Sequence, residues 1–166
     1  MFKRIRSKLH DMGTIKRLCE RAEAHALHDQ QREPGAEHFL LAALDLPDGT
    51  ARLAFERAGA EPDALKAAIE RQYGDALQSI GLMGNVPDEM PLSANPGTYQ
   101  AAPSGQAIMQ ELAATRRDHA PLLGAHVVSI VAGLPQGVAP RALRALGVDP
   151  AVLKSSADAI VGTSVR

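Results

Sequence analysis

The chain has 166 residues, a formal net charge of −1 and an aromatic content of 3 %, with no tryptophan. A single domain is expected at this length, and Leu, Ile, Val and Ala must fill its core. The near-zero net charge excludes a global electrostatic field that would attract nucleic acid or a membrane surface, so neither is predicted as a partner.

The absence of targeting signals and the low cysteine content both bear on the cellular location. No apolar run is long enough to span a membrane and no signal-peptide pattern occurs, so a cytoplasmic protein is predicted. Cys19 is the only cysteine and lies on an apolar helix face, which indicates a buried structural thiol. The first 21 residues are locally basic but lack a continuous apolar face, and we interpret them as a solvated helix start.

The first half of the sequence has helical spacing throughout. Apolar steps of three and four residues predict a helix over 15–26, and Pro34-Gly35 interrupts it. A short, strongly apolar helix follows over 39–44. A third helix is predicted over 51–58, with Gly59 as its left-handed C-terminal cap.

A fourth helix is predicted to begin at Glu61-Pro62, with the apolar residues of 64–69 on its core-facing side. The second half predicts the same order of helices, with apolar faces over 108–113, 127–132 and 142–146. Gly147 ends the third of these, and Asp149 is predicted to be the N-cap of the fourth. The fold class is therefore all-α.

The two halves are related by a displacement of 88 residues, without a gap, between residues 15–70 and 103–158. Matched positions are identical at many points, including His38 with His126, Leu46-Pro47 with Leu134-Pro135, Gly49 with Gly137, Gly59 with Gly147, Pro62 with Pro150 and Leu65-Lys66 with Leu153-Lys154. A fixed period of this kind indicates a duplicated folding unit. We predict one domain over 1–166, with repeats over about 12–73 and 103–160.

A linker rich in glycine and proline is predicted between the repeats, over about 81–105. Its apolar residues favour partial docking onto the helices over full disorder; they are Leu82, Met83, Val86, Met90 and Leu92.

Residues 36–44, AEHFLLAAL, resemble the (T/V)EHLLLALL signature of the Clp ATPase N-terminal (Clp repeat) domain. Both halves continue with a pattern similar to that family's A…L…G(V/A)D…L. Gly124 to Val128 are similar to the GANVLVAI stretch of the ClpA-type domain. The resemblance covers about residues 15–160 and implies two tandem four-helix repeats about a pseudo-twofold axis, with a groove between them.

The resemblance implies a function in protein binding without catalysis. No G-x-x-x-x-G-K-[ST] motif occurs, so a nucleotide site is not predicted, and no cofactor is expected. The chain looks like a free-standing Clp N-domain. We predict a non-enzymatic module that binds a Clp ATPase, a ClpS-like adaptor or substrate segments, or that competes with the N-domain of the ATPase.

An alternative function is a sensor for a small ligand or for phosphorylated arginine. In some Clp N-domains an acidic residue of the second repeat helps to bind phosphoarginine. Ala125 stands in that place here, whereas Glu37 keeps its carboxylate in the first repeat. The sequence therefore argues against a symmetric pair of such sites.

Three residues are candidates for partner binding. Glu37 could accept a bidentate bond from a partner's guanidinium group, or it could cap its own helix. His38 and His126 occupy equivalent positions, where a histidine bonded to backbone is favoured over a ligand. No catalytic residue is predicted.

A metal site is also not predicted, although His25 and His28 lie on one helix beside Asp29. The reason is that no spaced run of His, Cys or carboxylate residues supplies the remaining ligands.

Overall fold

The computed structural model describes residues 2–81, 97–115 and 121–164, and within these ranges the protein is all-helical, as predicted. Eight α-helices and one 3₁₀ turn occur there, without a β-strand. The α-helices are α1 (Phe2–His28), α2 (Ala36–Leu44), α3 (Thr50–Arg57), α4 (Leu65–Ser79), α5 (Pro103–Thr115), α6 (Gly124–Ala132), α7 (Val138–Ala145) and α8 (Pro150–Thr163). The 3₁₀ turn, Pro62–Ala64, precedes α4, so the predicted fourth helix opens with a tighter turn.

Helix boundaries follow the 88-residue displacement closely. α2 and α6 begin and end 88 residues apart, and so do α3 and α7. Gly59 and Gly147 follow α3 and α7 with φ of 71° and 73°, which confirms both as left-handed caps. Asp149 accepts a 2.8 Å bond from the Ala151 N–H and is the predicted N-cap.

The core is built around α2, whose nine residues are all buried. It packs against α1, α5 and α6, and α6 in turn packs against α8. Phe39 and Phe55 have no exposed surface, and small or aliphatic side chains fill the rest of the core. A helix that is buried on every side lies inside the bundle, so α2 fixes the positions of its neighbours.

The first helix begins at Phe2, before the start expected for the first repeat. Its first turns expose three apolar side chains at helical spacing: Ile5 is 54 %, Leu9 63 % and Met12 65 % exposed. The basic segment is thus helical, and one side of it is apolar. No helix in the described ranges is both long and apolar enough to cross a membrane.

The start of α5 is held against the turn before α2. The Ala102 N–H donates to the Pro34 carbonyl at 3.1 Å, and Ala101 is buried. The Ala36 N–H donates to Ser104 Oγ at 3.1 Å, so a side chain of α5 caps α2. The apolar linker residues predicted to dock, between 82 and 92, lie outside the described residues.

Candidate functional site

His38 lies at the N-terminus of α2, in the centre of a buried polar cluster. Its Nδ1 accepts the Gly35 N–H at 2.9 Å, which leaves the ring proton on Nε2. Nε2 donates to Asp29 Oδ2 at 3.2 Å. The His38 side chain is 1 % exposed and that of Asp29 5 % exposed, so the two groups form a pair enclosed by protein.

Glu37 projects into the same cluster and is also buried. The Tyr73 hydroxyl of α4 donates to Glu37 Oε1, and the Tyr73 ring stacks on the His38 ring with centroids 6.2 Å apart. Both carboxylate oxygens lie 2.9 Å from the place that a Cβ on Gly35 would occupy, so glycine leaves the space that Glu37 fills. A carboxylate in the first turn also interacts favourably with the helix dipole.

The ionisation of this cluster follows from its hydrogen bonds. Burial disfavours the charge on Asp29, but bonds from His38 and His28 outweigh burial and hold the pKa of Asp29 below its ordinary value. Burial and the adjacent Glu37 carboxylate both raise the pKa of Tyr73. The cluster therefore contains an ionised Asp29 and a neutral phenol that acts as a donor.

Sequence reasoning named Glu37 and His38 but missed Tyr73, which lies 36 residues away on α4. The Tyr73 hydroxyl already occupies Glu37 Oε1, and only 9 % of the Glu37 side chain is exposed, so little of the carboxylate is open to a partner's guanidinium. In this arrangement Glu37 joins α2 to α4 within the fold.

Replacing Tyr73 with phenylalanine is expected to lower the free energy of unfolding by about 1.5–3 kcal/mol, since the buried Glu37 carboxylate loses its donor. Urea denaturation measures the loss. Tyr99, the other tyrosine of the chain, is 40 % exposed and contacts the Cys19 thiol in place of a carboxylate, so it provides the control. Tyr99→Phe should change stability by less than about 0.5 kcal/mol. Equal effects of the two substitutions would show that Glu37 does not depend on Tyr73.

His126 occupies the position of His38 in the second half, but its surroundings differ. Its Nδ1 accepts the Leu123 N–H at 3.1 Å, the same contact with the residue before the helix. The ring is only half-buried, and α6 carries Ala125 where α2 carries Glu37. The two histidines thus share a capping role, and they lie in separate clusters.

Side chains from the first half cap the N-terminus of α6. The Gly124 N–H donates to Asp48 Oδ2 at 3.1 Å, and the Ala125 N–H donates to Thr50 Oγ1 at 2.9 Å. The Leu122 N–H donates to Asp11 Oδ1 at 2.9 Å. Asp48 therefore provides at α6 the negative charge that Glu37 provides at α2.

Stability should fall in mild acid because of His126. Its burial lowers its pKa, and the hydrogen bond with the Leu123 backbone and the nearby Asp11 and Asp48 carboxylates only partly oppose this. The unfolded chain then binds the proton more readily, so the contribution of His126 is complete above its unfolded pKa of about 6.5 and is lost as pH falls below it. Urea midpoints between about pH 5 and 7.5 should fall more steeply with acid in the wild type than in His126→Asn. Parallel profiles would contradict this assignment.

Comparison with known families gives a match over part of the chain. Residues 14–93 match the family model of the Clp repeat (R) N-terminal domain. The match runs from within α1 through α4 and includes Glu37, His38 and Tyr73. It supports the resemblance drawn from residues 36–44, and residues 103–160 lie outside it. A comparison with curated proteins gives no match.

A surface groove lies between α1 and the segment after α2, largely within the Clp-matching residues. Its lining consists of Leu9, His10, Gly13, Thr14, Arg17, Leu46, Pro47 and Asp48. The Asp48 carboxylate already accepts bonds from Thr50 and Gly124, whereas Arg17 is exposed. The groove therefore combines apolar side chains with an exposed cation, beside the exposed side chain of Met12.

Cys19 is partly buried on α1. Burial raises the pKa of its thiol, and the carboxylates Glu20 and Glu23 add to the effect against a hydrogen bond with Tyr99. A raised pKa disfavours the nucleophilic thiolate, which fits a structural residue.

Proposed function

We propose that the protein is a non-enzymatic, cytoplasmic binding module of the Clp chaperone–protease system that engages adaptors or substrate segments. The observation that carries this proposal is the match of residues 14–93 to the Clp repeat (R) N-terminal domain. Within the site described above, the buried polar side chains are used in helix capping and inter-helix bonds. We therefore assign this cluster to holding the helices together, and we place partner binding on the exposed surface of the protein.

The proposed architecture is a tandem of two four-helix repeats about a pseudo-twofold axis, the second similar to the ClpA type. The helix boundaries that recur 88 residues apart support it. So do the reciprocal caps, because Ser104 of the second half caps α2 while Asp48 and Thr50 of the first half cap α6. The two repeats would then form one rigid body that presents a single surface to a partner.

The groove beside α1 is the proposed docking surface. Leu9 lines it and is 63 % exposed, and Met12 extends the apolar surface along the same helix. Exposed apolar side chains next to a concave surface mark protein-binding sites. A peptide segment or the edge of an adaptor would pack on Leu9 and the exposed Pro47, and an acidic group of the partner would pair with Arg17.

Binding of the purified chain to a Clp ATPase, to a ClpS-like adaptor and to an unfolded substrate tests the proposal directly. Calorimetry should detect binding to at least one of the three, and Leu9→Asp should weaken it about tenfold. Ile80→Asp is the matched control, because Ile80 is 69 % exposed but lies after α4, away from the groove. No binding to any of the three would refute the function, and equal weakening by both variants would refute the groove.

A sensor for phosphorylated arginine is the alternative function, and its test is a titration of wild type and Glu37→Ala with phosphoarginine. The Tyr73 bond to Glu37 argues against it, since that bond occupies one oxygen of a carboxylate that is almost fully buried. Saturable binding that Glu37→Ala abolishes, in a variant that keeps its helical circular dichroism, would establish the sensor. Equal or absent binding removes it.

A further inference from the structure

Three side chains that can ligate a metal converge where α1 ends against α4. They are His28, Asp29 and Glu70, and one ligand atom from each lies within 4.8 Å of the others. His28 Nδ1 is 3.2 Å from Asp29 Oδ1 and 4.0 Å from Glu70 Oε1. We propose that these residues form a binding site for a divalent transition-metal ion of the Zn²⁺ type.

The spacing of the donor atoms fits such an ion. With bonds of about 2.0–2.2 Å, two ligand atoms on a tetrahedral metal lie about 3.3 Å apart. The His28–Asp29 pair already has this separation. Glu70 needs an inward movement of about 1 Å, and its side chain is 47 % exposed and free to make it. Water would complete the coordination, because three protein ligands leave a tetrahedral position open.

His38, which lies outside the ligand set, holds the Asp29 carboxylate in position for metal binding. Its Oδ2 accepts from His38 Nε2, and His38 is itself fixed by the Gly35 N–H. The carboxylate thereby keeps Oδ1 directed at His28. Outer hydrogen bonds of this kind orient the ligating groups in metal sites and strengthen binding. The buried His38–Asp29 pair is thus an observation independent of the exposed His28 and Glu70.

The ligand types select the class of metal. One imidazole nitrogen with two carboxylate oxygens favours Zn²⁺, Co²⁺ or Ni²⁺ over Mg²⁺ and Ca²⁺, which take oxygen ligands almost entirely. The two carboxylates also balance the charge of a divalent ion.

Lys66 limits the affinity of the site. Its Nζ lies 3.5 Å from His28 Nε2, on the side of the ring opposite the metal position. A metal on Nδ1 places the ring proton on Nε2, where it would face the ammonium protons of Lys66. Lys66 must therefore turn away when the ion binds, so removing its charge should tighten binding. A purely structural role of the cluster predicts no such gain.

Titration of the full chain with Co²⁺, followed by its visible absorption, and with Zn²⁺, followed by calorimetry, tests the site. We expect one saturable site, and a loss of affinity of at least about tenfold in His28→Ala and in Glu70→Gln. Lys66→Met should bind several-fold more tightly. Mg²⁺ and Ca²⁺ should not compete at equal concentration.

The matched control is His25→Ala, one turn earlier on α1. His25 Nε2 bonds Asp45 at 2.7 Å and takes no part in the cluster, so affinity should be unchanged. His28 and Glu70 are 57 % and 47 % exposed at their side chains, and circular dichroism should show folded variants. Absence of saturable binding in the wild type would overturn the proposal, as would equal affinity in the wild type and His28→Ala.

Discussion

His38→Ala is expected to lower the free energy of unfolding by about 3–5 kcal/mol, because it leaves a buried carboxylate without its main partner. Asp29 Oδ2 loses the only hydrogen bond described for it, and the Gly35 N–H loses its acceptor. A cavity also replaces a ring with no exposed surface. For a protein of this size the loss corresponds to a fall in melting temperature of roughly 6–20 °C. Thermal and urea denaturation, followed by helical circular dichroism, measure it.

His126→Ala is the control that the duplicated sequence provides. It removes the same contact to the residue before the helix, but the His126 ring is half-buried and Nε2 has no described carboxylate partner. We expect a loss of about 1–2 kcal/mol. A loss of equal size at the two positions would show that the Asp29 pair adds nothing to stability.

Local features of the fold were predictable because they depend on local sequence. Glycine at 59 and 147 ends a helix, since only a residue tolerant of positive φ fits there. Asp149 starts a helix because its carboxylate reaches the amide two residues ahead. The basic first segment was interpreted as a helix start, but the apolar side that this helix exposes was not predicted. The apolar residues at helical spacing in this segment are exposed to solvent. In the sequence they look like part of a solvated surface and not like a packed helix face.

The candidate sites were only partly predictable, because their partners come from distant segments. Glu37 meets Tyr73, and His28 meets Glu70, only because α4 lies beside the end of α1 and the start of α2. No periodicity in the sequence encodes those contacts. The loss of the carboxylate at Ala125 was visible, but its replacement by Asp48 depends on how the two halves pack.

Gly105→Ala is expected to destabilise the protein by about 2–3 kcal/mol, although glycine to alanine within a helix usually stabilises. A Cβ at Gly105 would lie 2.3 Å from the Pro34 carbonyl oxygen and 2.9 Å from Phe39 Cε2. Neither atom can yield easily. The carbonyl belongs to the backbone and accepts the Ala102 N–H, and the Phe39 ring has no exposed surface. The substitution must therefore push α5 away from the turn before α2.

Gly74→Ala separates this steric effect from helix propensity. Gly74 lies inside α4, and a Cβ there would have no heavy atom within 4 Å beyond its local helix backbone. It should stabilise the protein by about 0.5–1 kcal/mol, since the unfolded chain loses conformational freedom. Urea denaturation of both variants should thus give changes of opposite sign. Stabilisation by both substitutions would show that α5 can shift without cost, and that its close contact with α2 does not hold the two halves together.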